Sequence, residues 1–135
     1  MGAAENLAIH TQCTEAENRH DLSRLGDFLH DDIVVVVAGG MATTGIDEYR
    51  AGLDQLYEGM SDFKVVLEDQ FATDDRVVCR WRATATHDGD YYGIPATGKS
   101  VEYTGVSVWE FDNGKARRGW SFPDTMTLMQ QLGFA

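Results

Sequence analysis

Two residues have the type and setting for chemistry, Asp124 and His87. Asp124 follows Trp120, Phe122 and Pro123 at the end of an alternating, aromatic-rich stretch. Strict alternation puts Asp124 on the same face as Trp120 and Phe122. Burial against aromatic rings disfavours a carboxylate and raises its pKa. Such a carboxyl could remove a proton next to a carbonyl and later return it to an alkoxide. Asp124 also precedes Thr125 and suits the N-cap of a short C-terminal helix; the two roles are compatible. His87 ends a second alternating stretch, in register with Val77, Cys79, Trp81, Ala83 and Ala85. That register aims it inward, where it would hold a carbonyl or enolate oxygen or orient Asp124. The competing role is a strand-end histidine hydrogen-bonded to the loop that follows.

The elements that position these residues are legible in outline. Glu5 to Arg19 reads as a helix, and Leu22 to Leu29 as a second, with Leu22, Leu25, Phe28 and Leu29 on one face. Ile33 to Val37 is a β-branched run that reads as a strand covered on both sides. A third helix, Ile46 to Met60, opens at Thr44 or Gly45, where Thr44 and Asp47 resemble a capping box. From Phe63 the period becomes two, with strands at Phe63 to Glu68, Arg76 to His87, Val101 to Phe111 and Lys115 to Phe122. Thr73-Asp74-Asp75 and Asp112-Asn113-Gly114 supply turns. Thr125 to Leu132 is a short amphipathic segment. Helices segregated from an antiparallel meander make an α+β fold of one domain over residues 1–135. A curved antiparallel sheet wrapped around the N-terminal helices would enclose a cone.

In that cone Tyr103, Trp109, Trp120 and Phe122 line the sheet side, and Tyr49, Leu53 and Tyr57 close it from the third helix. Deep in the cone they are plain core; near its mouth they would sandwich a flat ligand. The connection Asp88 to Lys99, with Tyr91 and Tyr92, is either a lid or a long hairpin loop. A net charge of −11 argues against a nucleic-acid surface or an anionic membrane surface as partner. Two cysteines, Cys13 and Cys79, fit reduced thiols in a cytoplasmic protein. No secretion signal or membrane-length apolar run is present. His10, His20 and His30 have no spacing partners for a metal, and no nucleophile–base pair or phosphate loop appears.

Taken together, His20-Asp21-Leu22, Asp31-Asp32-Ile33, Asp75-Arg76-Val77 with Arg80-Trp81 and Thr86-His87 resemble one family pattern. So do Tyr92-Gly93-Ile94-Pro95-Ala96-Thr97-Gly98, Gly114-Lys115, Trp120 to Asp124, and Leu128-Met129-Gln130-Gln131-Leu132-Gly133. The pattern is that of the SnoaL-like polyketide cyclases, in the ketosteroid-isomerase-like or nuclear transport factor two-like superfamily. The resemblance covers nearly the whole chain. It implies a cone fold, a homodimer through the outer sheet face, and ring closure by intramolecular aldol condensation without metal or organic cofactor. Asp124 matches the family's acid/base. Three positions depart from the pattern: Gly119 where many members carry His, Val35-Val36 where many carry a polar pair ending in His, and Thr14 where an aromatic is common. These leave the pocket more apolar than usual.

The reading is therefore a cofactor-independent enzyme closing or isomerising a ring in a small, apolar or polycyclic polyketide-like substrate. Hydroxylation or epoxide hydrolysis on the same scaffold, a non-catalytic binding protein, and an assembly protein are the alternatives. Epoxide hydrolysis would want a second carboxylate and an arginine in the pocket. Arg80, Arg82, Thr84, Glu102 and Thr104 on the outer face point to a wet dimer interface.

Overall fold

The computed structural model describes residues 2–39 and 41–134. Helix α1 spans Ala3–Asn18. A 3-10 turn, Leu22–Arg24, leads into a single helical turn, α2, at Leu25–Phe28. Leu22, Leu25, Phe28 and Leu29 are all buried, as their spacing requires. The helix is shorter than expected because Leu29 already pairs with Ala116 and begins strand β1, Leu29–Val37. One side of β1 is also more open than its β-branched run implies, with Val36 exposed. A short strand β2, Met41–Thr44, pairs antiparallel with β1; its four residues carry no alternation that would reveal it.

Helix α3 spans Ile46–Gly59 and is capped by Gly45. Glu48, not Asp47, reaches back to the Thr44 N–H at 2.5 Å. Four longer strands follow: β3 Lys64–Ala72, β4 Arg76–Thr86, β5 Ser100–Asp112 and β6 Lys115–Pro123. Helix α4, Thr125–Leu132, closes the described chain. Among the described residues no helix is long and apolar enough to cross a membrane.

The sheet order is β2-β1-β6-β5-β4-β3. Neighbours are antiparallel except β1 and β6, which run parallel. The sheet is therefore mixed and open, where the sequence pattern indicates an antiparallel one. A parallel pair needs a long crossover, and here α3 and the meander β3 to β5 supply it. The result is an α+β cone: the sheet curls, and its concave face takes α1, α2 and α3.

The register shifts in three strand pairs, β1–β6, β3–β4 and β5–β6, and the bulges in β3 and β6 set which of their residues face inward. In β3 the register slips between Leu67 and Asp69, so Val65 and Leu67 point in before it, and Gln70 and Ala72 after it. In β6, Ala116 opposes Phe111 while Arg118 opposes Glu110. Arg117 is thus an extra residue, and parity inverts there. Ala116 faces the core, and beyond the bulge the inward residues are Gly119, Ser121 and Pro123.

The apolar interior is in two parts. Leu25, Phe28, Ile33, Val77 and Phe111 fill the narrow end under α1 and α2. Met60, Ala83, Val101, Leu128 and Leu132 fill the end under α4. Each of these side chains other than that of Ala83 contributes about 1.5–3 kcal/mol relative to exposure. Between the two parts the concave face is not filled.

Candidate active site

That unfilled space is a cavity of about 300 Å³, the size of a small-molecule site. Its floor is the sheet. Trp81 lies across from Gly105 and Trp109 across from Gly119 in the strand register. Each indole lies over its glycine. A Cβ at Gly105 would stand 2.2 Å from the Trp81 ring, and one at Gly119 would stand 2.4 Å from the Trp109 ring. The glycine at position 119 is therefore the space in which Trp109 lies. Val35, Leu53, Leu56, Phe63 and Leu67 make the rest of the lining largely apolar.

The sequence-derived pocket residues divide by strand parity. Tyr103 and Trp109 on β5 line the cavity, with Tyr49, Leu53 and Tyr57 on α3. Trp120 and Phe122 do not. The Arg117 bulge turns them to the convex face, where Phe122 is 52% exposed, and Ser121 and Pro123 take their places at the cavity wall.

Asp124 goes with Trp120 and Phe122. It is exposed and serves as the N-cap of α4, accepting from Thr127 N at 3.1 Å and Thr127 Oγ1 at 2.6 Å. Those bonds, the hydroxyl's first, hold its pKa below the usual carboxylate value, the opposite of the expected rise. Burial against aromatics is missing because the rings expected to bury it point to solvent on the same face.

His87 does point inward and is fully buried, yet it is not part of the cavity wall. Its Nε2–H donates to the Ile94 carbonyl at 3.2 Å, and its Nδ1 accepts from Thr97 Oγ1 at 2.9 Å. Both ring nitrogens are thus spent on the 88–99 loop. Asp124 and His87 are not brought together.

α1 brings further polar groups to the cavity, and the sequence pattern singles out only Thr14 of them as a pocket position. Asn6, His10, Cys13 and Ala16 form its buried face, and Thr14 and Glu17 border the cavity. Polar groups on an inward helix face cost stability unless paired, so a helical-wheel reading of Asn6, His10 and Glu17 was the available signal. The Glu17 carboxylate accepts from Tyr49 OH at 3.1 Å and Cys13 Sγ at 3.3 Å. The residue is half-buried and borders the cavity. Burial of its carboxyl raises its pKa, with the two hydrogen bonds opposing in part. His10 is buried too. Gln70 Nε2 donates to its Nδ1 at 2.7 Å, and its Nε2 lies 3.8 Å from Cys79 Sγ. Burial lowers its pKa to about 4, so the ring is neutral. Cys13 and Cys79 are free, and burial pushes both thiols up, which makes them poor nucleophiles.

Further along the floor, Trp81 Nε1 donates to Ser107 Oγ at 2.9 Å, and Ser107 Oγ stands 3.3 Å from Ser121 Oγ. No arginine borders the cavity among the described residues, and Glu17 is its one carboxylate there. Among the described residues no cluster of His, Cys, Asp or Glu is arranged to hold a metal ion.

The profile of the SnoaL-like polyketide cyclases matches residues 8–132. The chain belongs to that family. Solved structures agree on the fold. A protein of Jannaschia sp. CCS1 ascribed to the SnoaL-like polyketide cyclases superposes with a TM-score of 0.90 at 20% identity, over 98% of this chain and 94% of its own. AclR of Streptomyces galilaeus, ascribed a hydroxylase role, gives 0.88 at 26% identity over 98% of both chains. An LEH-like epoxide hydrolase of M. tuberculosis gives 0.78 at 16% identity, over 96% of this chain and 90% of its own. No curated protein matches the sequence. The SnoaL-like fold thus carries at least three ascribed chemistries among these neighbours, and the site must decide between them.

Proposed function

We propose that this SnoaL-like protein is a cofactor-independent enzyme that closes or isomerises a ring in a polyketide-like carbonyl compound held in the cavity, with Glu17 as its acid/base. The observation that carries the proposal is a single carboxyl, raised in pKa by burial, opening on an apolar cavity and steadied by the Tyr49 hydroxyl. A carboxylate in such a setting is a stronger base than one in water. It would take a proton from the carbon between two carbonyls of the substrate. The enolate would attack another carbonyl of the same molecule, forming the new carbon–carbon bond, and Glu17 would return the proton to the resulting alkoxide. No atom is gained or lost, and no electrons leave the substrate. The apolar walls exclude water and strengthen each hydrogen bond made inside.

The alternatives on this scaffold are less well served. Epoxide opening would want a second carboxylate and an arginine beside the first, and neither borders the cavity among the described residues. Asp124 occupies the family position for the acid/base. For it to act, the Asp124–Thr127 cap would have to open, since its side chain now faces solvent.

The test compares Glu17→Gln and Asp124→Asn in turnover of a linear poly-β-ketone probe. Glu17→Gln should lower the rate about 100-fold or more while binding of the probe persists, and Asp124→Asn should change the rate little. The reverse pattern would return the role to Asp124. Binding without turnover in the parent protein would make this a carrier.

A further inference from the structure

The end of the cavity nearest the 88–99 loop holds a second polar feature, made of phenols. Tyr91, Tyr92 and Tyr103 all border the cavity there. Tyr91 and Tyr92 stand edge to face with ring centroids 4.8 Å apart. Tyr103, on β5, is only 7% exposed. None of the three hydroxyls hydrogen-bonds to another described residue. Asn6 Oδ1 is the one fully buried side-chain oxygen or nitrogen without a partner among the described residues, so the Tyr103 hydroxyl reaches open space. Since the rest of that side chain is buried and lines the cavity, the open space is the cavity itself. A hydroxyl at the end of a buried phenol, opening on an apolar chamber, takes its hydrogen-bond partner from whatever fills the chamber, water or a ligand oxygen.

The loop is built to hold its share of this cluster. His87 ties it down through Thr97 and Ile94, and the Tyr91 ring stands edge-on to the His87 ring at 6.3 Å. Tyr91 and Ile94 exchange backbone hydrogen bonds at 2.9 Å each. Tyr92 is held at φ 49°, a left-handed conformation that bulky residues rarely take and that clusters at binding sites. Burial first, and then the neighbouring phenols, raise the pKa of Tyr91 to about 12 and of Tyr103 further. At neutral pH these phenols keep their protons and can only donate to an oxygen brought to them or accept from a donor.

We infer that Tyr103 and Tyr91 form a hydrogen-bond-donor subsite for a ketone or enolate oxygen at the loop end of the cavity, separate from the Glu17–Tyr49 pair. The inference rests on the cavity being the ligand site. Tyr103 is six residues along β5 from Trp109, at most roughly 20 Å at the rise of a straight strand, and Trp109 packs against His10 and against Tyr49, the hydroxyl partner of Glu17. The subsite would therefore select an elongated, flat molecule with oxygen functions at both ends. It would hold one end while the acid acts on the other.

The probe pair is α-tetralone and tetralin, one bicyclic skeleton with and without a carbonyl. In a pocket without donors the hydrocarbon binds better, because a buried carbonyl without a partner is penalised. The parent protein should bind the ketone about fivefold more tightly than the hydrocarbon, read by quenching of cavity tryptophan fluorescence or by calorimetry. Tyr103→Phe should reverse that preference, and Tyr91→Phe should weaken it, with hydrocarbon affinity unchanged in both. A parent protein without a ketone preference, or an unchanged ketone preference in both variants, overturns the subsite but leaves the cavity reading intact. Failure of either compound to bind the parent protein overturns the cavity reading and the subsite with it.

Discussion

At the scale of single residues, the chemistry of this protein turns on which polar groups are kept from water. Glu17 and His10 lie on one face of α1, seven residues apart, and burial shifts them in opposite senses: the acid is raised and the base lowered. The consequence for stability has a definite sign. An unfolded chain binds a proton at His10 near pH 6.5, but the folded one only near pH 4. Between those values the unfolded state holds more protons, so folding stability falls as the pH drops through that window. The full loss is at most roughly 3 kcal/mol for a shift of this size. Glu17 acts the other way. Its folded pKa lies above the unfolded one, so falling pH favours the folded state until both forms are protonated. His10→Gln keeps a partner for Gln70 and removes the titration. Its stability at pH 5 should exceed that of the parent by about 2 kcal/mol once the difference at pH 7 is subtracted. Urea unfolding at the two pH values measures this, and an unchanged pH dependence would mean His10 is not buried in its neutral form.

At the scale of elements, most of the fold is written in patterns that survive on their own. The period-two runs of β4 and β5 place Val77, Cys79, Trp81, Tyr103 and Trp109 inward, where the structure has them. The Asp112-Asn113-Gly114 turn and the Pro123 stop also read directly. What does not read is the bulge. A single extra residue, Arg117, inverts the parity of β6, so a correct alternation becomes a wrong assignment of faces for Trp120, Phe122 and Asp124. Nothing local announces such a bulge, because it is set by pairing with β5 and β1 across the sheet. The cavity polar groups were missed for a different reason: α1 reads as a helix of mixed residues, and its inward face is known only once the sheet it covers is placed. The glycines opposite the tryptophans are the element-scale device that opens the floor. Gly119→Ala should drive Cβ into the Trp109 ring and destabilise the protein by about 1–3 kcal/mol. In the Trp109→Leu background the same change should cost much less. A double-mutant cycle by thermal or urea unfolding reads that coupling; additive effects would show that Trp109 does not occupy the space.

At the scale of the whole molecule, the same inversion changes what the convex face offers to a second copy. The polar residues there, Arg76, Arg80, Arg82, Glu68, Glu102 and Glu110, are largely spent on one another: Arg82 bridges Glu102 at 3.0 Å and Arg76 bridges Glu110 at 3.1 Å. Exposed pairs of this kind contribute little to stability, but they leave the face near neutral in a chain of net charge −11. Two copies therefore repel least when they approach through it. Between the paired charges stand Val36, Val66, Val106 and Phe122, all exposed, so this face is more apolar than the arginines and threonines alone imply. We expect a homodimer built on that surface, with Phe122 near its centre beside Val106, its cross-strand partner. Phe122→Asp puts a charge where the face is apolar, at a residue that does not itself line the cavity. Sedimentation equilibrium should show a dimer for the parent protein and a monomer for the variant, with the affinity for α-tetralone unchanged. A variant that remains dimeric would place the contact on another face, and a parent protein that is monomeric at high micromolar concentration would leave the convex face without a role in self-association.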